Sequence, residues 1–363
     1  MKNTIGNNVS ITLFGESHGP SVGVVIDGLA PGIPVNTDRI GEMLSRRRPS
    51  GAISTARQEK DAFVIDSGVF NGLTTGTPIC IRILNEDTRA ADYTVDDRLA
   101  RPGHADYAAH YKYHGYEDYR GGGHFSGRLT AALVAAGGIV IPALEKKGIL
   151  IGTHIYRIAD VTDRDFVDLS EDLEKLNSNF PVLNDDMREA MEQRILVAKA
   201  EGNSVGGVLE TAVVGLPAGV GEPWFDTVEG MLAHALFSIP AVKGVEFGAG
   251  FAIAAMRGSE ANDAWRSGDQ GIFTETNNNG GINGGITNGM PLIFRCAIKP
   301  TPTIAKEQNT VSLDRGTEAV LAARGRHDPC IVHRAAVVLN AVTALVLCDL
   351  LAGRFGTDWL GAV

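Results

Sequence analysis

The chain has 363 residues, 44 of them glycine, and 43 acidic against 33 basic side chains give it a formal charge of −10. A hydrophobic share of 44 % excludes a disordered polar chain, and the acidic total argues against non-specific binding to nucleic acid or to a membrane surface. Small anionic ligands stay open, because they respond to local rather than total charge.

The length allows a full-sized core, in one large domain or in two to three smaller ones. Residues 1–10 carry one lysine and no apolar run of signal-peptide length, so the chain is expected in the cytoplasm. Apolar runs of strand length follow at 10–14 and 22–26. A helix is then expected from Thr37, its cap, with Ile40, Met43 and Leu44 on one face and Pro49 closing it after Arg46, Arg47 and Arg48. Strands are expected at 62–65 and 78–84. The uncharged stretches 129–144 and 335–348 fall short of the roughly 20 residues of a bilayer span and read as buried core helices. Eleven acidic and four basic side chains lie between 158 and 194, read as a solvated acidic face. Met187, Ala190, Met191 and Ile195 mark a helical stripe within it. Further strands are expected at 208–215, 253–256 and 291–299, and a helix capped by Asp226 with Glu229 three residues on. These clusters do not alternate as βαβ units, which favours α+β over a doubly wound sheet. No stretch reads as a domain linker. Cys80, Cys296, Cys330 and Cys348 include no C-x-x-C pair, so neither zinc nor a redox pair is expected.

The nucleotide, zinc-protease and serine-hydrolase fingerprints are missing: no G-x-G-x-x-G after a strand, no P-loop, no H-E-x-x-H, no G-x-S-x-G. What remains is a set of glycine-flanked Arg and His clusters. His18 sits in a turn between Gly15 and Gly19 at a strand end, a place for a proton-transferring imidazole. Arg101 precedes His104 by three residues, and four of the nine histidines (His104, His110, His114, His124) fall between Arg101 and Arg128. The run from Arg120 to Arg128 leads into the first core helix, where free N–H groups form an anion site. Arg128 opposes the helix dipole there and requires a negative partner, which a bound phosphate or carboxylate would supply. Lys299, Thr301 and Thr303 suit a phosphate at a strand end. Asp328 is placed as N-cap of the last apolar helix, with Pro329 in its first position.

The blocks at 15–19, 46–48, 101–106, 120–128, 241–246, 280–285, 299–301 and 325–330 resemble, in order and over nearly the whole length, those of the chorismate synthase family. The resemblance implies one domain over 1–363, with a helical layer sandwiched between two antiparallel β-sheets, and a homotetramer. It implies that 5-enolpyruvylshikimate 3-phosphate loses its 3-phosphate and a C6 proton by 1,4-anti elimination to give chorismate, with reduced FMN (FMNH2) required and no net redox change. Its carry-over makes His18 the acid that protonates the reduced flavin, His104 the acid that protonates the departing phosphate, and Asp328 the carboxylate that removes the C6 proton through flavin N5. Arg47, Arg48 and Arg128 match substrate-binding or nearby cationic positions. His124, Phe125, Ser126, Ala241, Gly284, Lys299, Pro300, Thr301, Pro302, Thr303 and Arg326 fall where the family contacts FMN.

The family commonly reads G-R-S-S-A-R-E-T where this chain has His124 for the first Arg and Leu129 for the Glu. A titratable ring thus replaces a fixed cation. Pro240 and Pro302 replace a usual Asn and Ser, and an Arg found beyond the 46–48 run has no counterpart at Ala52 or Ile53. No added nucleotide domain is recognised for NADPH, which points to a separate flavin reductase as partner. Two other readings stay open: an FMN-dependent oxidoreductase of a phosphorylated metabolite, and a noncatalytic flavin- or anion-binding relative. The retained trio of His18, His104 and Asp328 argues against the latter, since a binder needs cations but not three acid–base groups.

Overall fold

The computed structural model describes residues 2–55, 59–86, 98–269, 271–322 and 327–361. Alternating Val and Ile positions build the first sheet from β1 (Thr4–Ile5), β2 (Ser10–Gly15), β3 (Ser21–Asp27), β4 (Phe63–Ser67) and β5 (Ile79–Leu84), ordered β1-β2-β3-β5-β4 with antiparallel neighbours. The second sheet contains β6 (Leu150–Ile158), β7 (Val161–Thr162), β8 (Gly207–Val214), β9 (Val242–Phe247) and β10 (Leu292–Ile298), ordered β9-β10-β8-β6-β7 and also antiparallel. Burial alternates along β5 and β10, whereas the central β8 is buried on both faces.

The longer helices are α1 (Thr37–Arg47), α2 (Asp106–Tyr113), α3 (Thr130–Lys146), α4 (Asp185–Ala200), α5 (Val228–Leu236) and α6 (Val332–Phe355). α1, α3, α5 and α6 fill the space between the two sheets, whereas α2 is mostly exposed and α4 flanks β6 and β7. α3 packs against β3, β5 and α1 on one side and against α6 on the other, while α6 packs on β6 and β8. The α3 and α6 backbones come so close at Gly137 that a Cβ there would lie 2.5 Å from the Ala341 methyl. With the turn that precedes it α3 spans Gly127–Lys146, and like α6 it is long and apolar enough to cross a membrane, which corrects the expectation that both stretches are too short; most of their surface is nevertheless buried inside the protein, as expected of core helices. Leu133, Ile139, Leu144, Leu339 and Leu347 belong to one apolar cluster running from Val9 to Leu360, each worth about 1.5–3 kcal/mol when buried.

Several local expectations are corrected. Asn36, not Thr37, caps α1, accepting from the amides of Asp38 and Arg39 at 3.0 and 3.1 Å. Thr227, not Asp226, caps α5 through the Gly230 amide at 2.8 Å. Residues 253–256 form no strand; a short 3-10 segment, Gly250–Ala255, lies there, exposed and without a sheet partner. The 158–194 segment is not wholly a solvated face: Asp163 and Asp172 are buried, receiving backbone N–H groups and the Arg164 guanidinium. The four cysteines are free.

Candidate active site

A cleft of about 790 Å³ opens where the β2–β3 turn, the glycine-rich loop before α3, the C-terminal end of α1 and the first turn of α6 meet. His18, Arg47, His104, His124, Phe125, Ser126, Arg128, Ala241, Lys299, Thr301, Pro302, Thr303 and Asp328 all line it. Residues more than 300 positions apart thus share one wall.

Close backbone approach positions the histidines. Gly121 has φ +58°, and a Cβ there would lie 2.2 Å from both Cε1 and Nδ1 of His18. Only glycine admits the ring so near the loop. Ser17 N–H donates to the Gly123 carbonyl at 3.0 Å, locking the turn against that loop. His124 directs Nδ1 at the Gly15 carbonyl at 2.8 Å, an acceptor that requires the proton on Nδ1. His104 Nδ1 lies 3.1 Å from Asp106 Oδ1.

Two arginines meet one aspartate at the cleft floor. Arg47 Nη2 donates to Asp61 Oδ2 at 2.9 Å, and Arg128 Nη1 pairs with Oδ1. Arg128 also donates to Asn85 Oδ1 at 2.9 Å and to the Leu84 carbonyl at 3.0 Å. The negative partner expected for Arg128 is therefore Asp61, a residue of the protein, and the trio keeps one net positive charge. Burial pulls the Arg47 guanidinium down to about 10, with Asp61 opposing the fall, so it remains cationic at neutral pH. Burial pushes Asp61 upward, but Arg47 and Arg128 outweigh it and hold the carboxyl below its ordinary value.

Asp328 does not cap α6, which starts at Val332 behind Ile331 with no side-chain cap. Its Oδ2 receives Arg334 Nη1 and its Oδ1 the Thr55 amide at 3.0 Å. Arg334 Nε also donates to the Arg47 carbonyl at 2.8 Å, tying the two halves of the cleft. The neighbouring His333 bonds Ser54 Oγ through Nε2 at 3.0 Å, and burial drives its ring down to about 4. A neutral His333 thus anchors the loop that presents the Thr55 amide.

Some expected residues lie elsewhere. Arg48 is partly exposed, donating to the Lys60 carbonyl at 3.2 Å, and neither it nor Pro300 lines the cleft. Gly284 sits in the hairpin turn between Ile282–Asn283 and Ile286–Thr287, also away from the lining. Arg326 lies outside the described residues. Of the clustered histidines, His110 faces Glu117 at 3.4 Å and His114 ends α2 at φ +57°. Sequence reasoning gave no role to Arg101, Lys243, His327 and Arg334, which line the cleft. Arg334, the first charge inside an otherwise apolar helix, was a usable signal; Asp61, in a short polar loop, gave none.

Six Lys and Arg side chains against two carboxylates, Glu59 and Asp328, line the cavity among the described residues. A helical layer between two antiparallel sheets, with that many cations around His18, His104 and Asp328, fits an α+β enzyme for anionic small molecules. The sequence profile of the chorismate synthase family matches residues 9–352. Chorismate synthase of Thermococcus gammatolerans is 48 % identical over 358 residues, covering 99 % of both chains; that of Pyrococcus abyssi is 49 % identical over 349 residues, covering 96 % of this chain and 97 % of its own. A solved crystal structure of chorismate synthase superposes with a TM-score of 0.78 at 30 % identity, covering 98 % of this chain and 94 % of that one. The chain belongs to the chorismate synthase family, lyases of aromatic amino-acid biosynthesis.

Proposed function

We propose that this protein converts 5-enolpyruvylshikimate 3-phosphate to chorismate and inorganic phosphate by 1,4-anti elimination. The convergence of His18, His104 and Asp328 on one cationic cleft carries this reading. In the reaction the C6–H and C3–O bonds break and the ring gains a second carbon–carbon double bond. Arg47 and Arg128 bind the substrate's anionic groups; Arg47 Nε is buried with no partner among the described residues, which leaves a donor for a ligand. His104 gives its proton to the departing phosphate oxygen. Asp328, held by Arg334 and the Thr55 amide, receives the proton leaving C6, and His18 holds a proton at the opposite wall.

The same cleft fits FMN beside the substrate. Its volume of about 790 Å³ lies in the upper part of the ~300–1,000 Å³ span of small-molecule sites. Thr301 Oγ1 is buried without a partner among the described residues, as suits a phosphate acceptor group nearby, and Phe125 offers an aromatic face. His124, Phe125, Ser126, Ala241, Lys299, Thr301, Pro302 and Thr303 would hold the cofactor. Reduced FMN, when bound, supplies electron density for loss of the phosphate and is recovered unchanged.

The whole of 1–363 acts as one domain around a single apolar cluster, and the active form is a cytoplasmic homotetramer whose FMN is reduced by a separate enzyme. The tetramer is supported by the outward side chains of Phe251, Trp265 and Ile272, 87, 51 and 75 % exposed, which suit burial against a second copy.

The test is anaerobic incubation of the protein with reduced FMN and the enolpyruvyl phosphate, following chorismate and phosphate. Stoichiometric release of both is expected, and no phosphate release overturns the reading. Steady NAD(P)H consumption in place of elimination would favour a flavin oxidoreductase.

A further inference from the structure

We propose that Asp106 is a positioning residue that selects the ring nitrogen through which His104 transfers its proton. The inference rests on the role given to His104 above.

Three groups meet at this point. His104 lines the cleft and Asp106 does not, so the carboxylate acts on the substrate only through the ring. Asp106 Oδ1 stands 3.1 Å from His104 Nδ1. The carboxylate is itself fixed: Arg101 donates Nε to Oδ2 at 2.7 Å, Nη2 to Oδ1 at 2.6 Å and its backbone amide to Oδ2 at 2.9 Å. Burial raises the Asp106 carboxyl, but the bonds from Arg101 and His104 outweigh it and hold the group well below the usual carboxylate range. It is therefore an ionised acceptor at neutral pH.

Arg101 Nη2 also lies 3.2 Å from His104 Nδ1, and a guanidinium only donates. Arg101 and Asp106 thus make opposite demands on one nitrogen. Arg101 already donates Nε and Nη2 to Asp106, whereas the ionised carboxylate accepts from His104 only if Nδ1 carries hydrogen. The carboxylate prevails, and Nδ1 is protonated in both charge states of the ring. That leaves Nε2 as the nitrogen that gains and loses a proton, the arrangement by which a buried carboxylate orients a working imidazole in other enzymes. The Cε1–Nε2 edge lies over Gly122, where a Cβ would stand 2.8 Å from Cε1 and 3.0 Å from Nε2. The glycine keeps that edge clear.

The experiment is 15N NMR on full-length protein labelled in its histidine rings, with the His104 signals assigned by loss in His104→Gln. In native protein at high pH, neutral His104 is expected to carry hydrogen on Nδ1. In Asp106→Ala only the Arg101 donor faces Nδ1, and the neutral ring is expected to switch its hydrogen to Nε2. The same variant is expected to lower kcat for phosphate release by on the order of 10²-fold with KM within threefold, and Asp106→Glu to recover part of the loss. A native His104 with hydrogen on Nε2, or an Asp106→Ala enzyme within threefold of native kcat, overturns the proposal. If Asp106→Ala does not fold, the native spectrum alone decides. If the native protein releases no phosphate, the assigned reaction falls and the spectra still settle the role of Asp106.

Discussion

Arg128 and Asp61 pair at the floor of the cleft with side chains only 3 and 0 % exposed, and Arg47 occupies the other oxygen of the same carboxylate. Asp61 holds φ +54°, a conformation that costs a non-glycine residue about 1–2 kcal/mol. The ion pairs are what hold it there. Asp61→Ala strands two buried guanidiniums, and a loss of roughly 3–5 kcal/mol in unfolding free energy is expected, read from urea denaturation. A loss under about 1 kcal/mol would show that water reaches both arginines.

The buried ladder His154–Glu210–Arg295 crosses β6, β8 and β10, with His154 Nε2 at 2.9 Å from Glu210 and Nδ1 at 3.5 Å from Asp163. Burial disfavours a charged ring, but Asp163 and Glu210 outweigh it and raise His154. A raised folded-state value means the stabilisation is complete below the unfolded value of about 6.5 and is lost as pH rises through the folded one. Urea midpoints of the native protein are expected to fall over that alkaline interval, and His154→Gln to flatten the fall. Equal slopes for both proteins would remove His154 as the cause.

Gly121→Ala puts a methyl into the His18 ring and requires a left-handed φ. Phosphate release is expected to drop at least tenfold while the melting temperature falls by a few degrees, as a strain of about 1–3 kcal/mol implies. Unchanged kcat would mean that the position of the His18 ring is immaterial.

His124→Arg replaces a titratable ring at the proposed flavin wall by a permanent cation. FMN affinity is expected to rise roughly tenfold, the worth of one charge-assisted bond at ~1.4 kcal/mol, measured by fluorescence titration. No change would place the FMN phosphate elsewhere.

Charged residues at Trp265 and Ile272 are expected to break the proposed tetramer. Light scattering should report four copies for the native chain and fewer for the Trp265→Glu, Ile272→Glu double variant. A native monomer would leave the exposed side chains without this explanation.

Apolar runs of strand or helix length declared β2, β3, β5, β8, β10 and the two core helices, because burial there follows from local composition and run length. The strand expected at 253–256 failed for the same physical reason: its apolar residues face away from this chain's own core, and periodicity does not say which body they will contact. Asp328 beside Pro329 reads as a cap by local chemistry, and a cation from the next helical turn overrides it. His18, His104 and Lys299 announce themselves by glycine and proline neighbours. Asp61 acts through a partner 67 residues away, and a lone carboxylate in a loop carries no mark of its partner; Asp106 opens α2, where its position suits the helix dipole whatever else it does.

α6 is made long after α3, yet most of the core waits for it. Its Arg334 completes the cleft, Ala341 receives α3, and Asp349 accepts the backbone amides of Asn7, Asn8 and Val9 from the far end of the chain. During synthesis the apolar face of α3 therefore leaves the ribosome some 200 residues before its partner exists. Contacts of such sequence separation slow folding, and an unpaired apolar helix in a growing chain is the surface that chaperones hold or that aggregates. For this enzyme a truncation after 331 removes the lid of the core as well as one wall of the site.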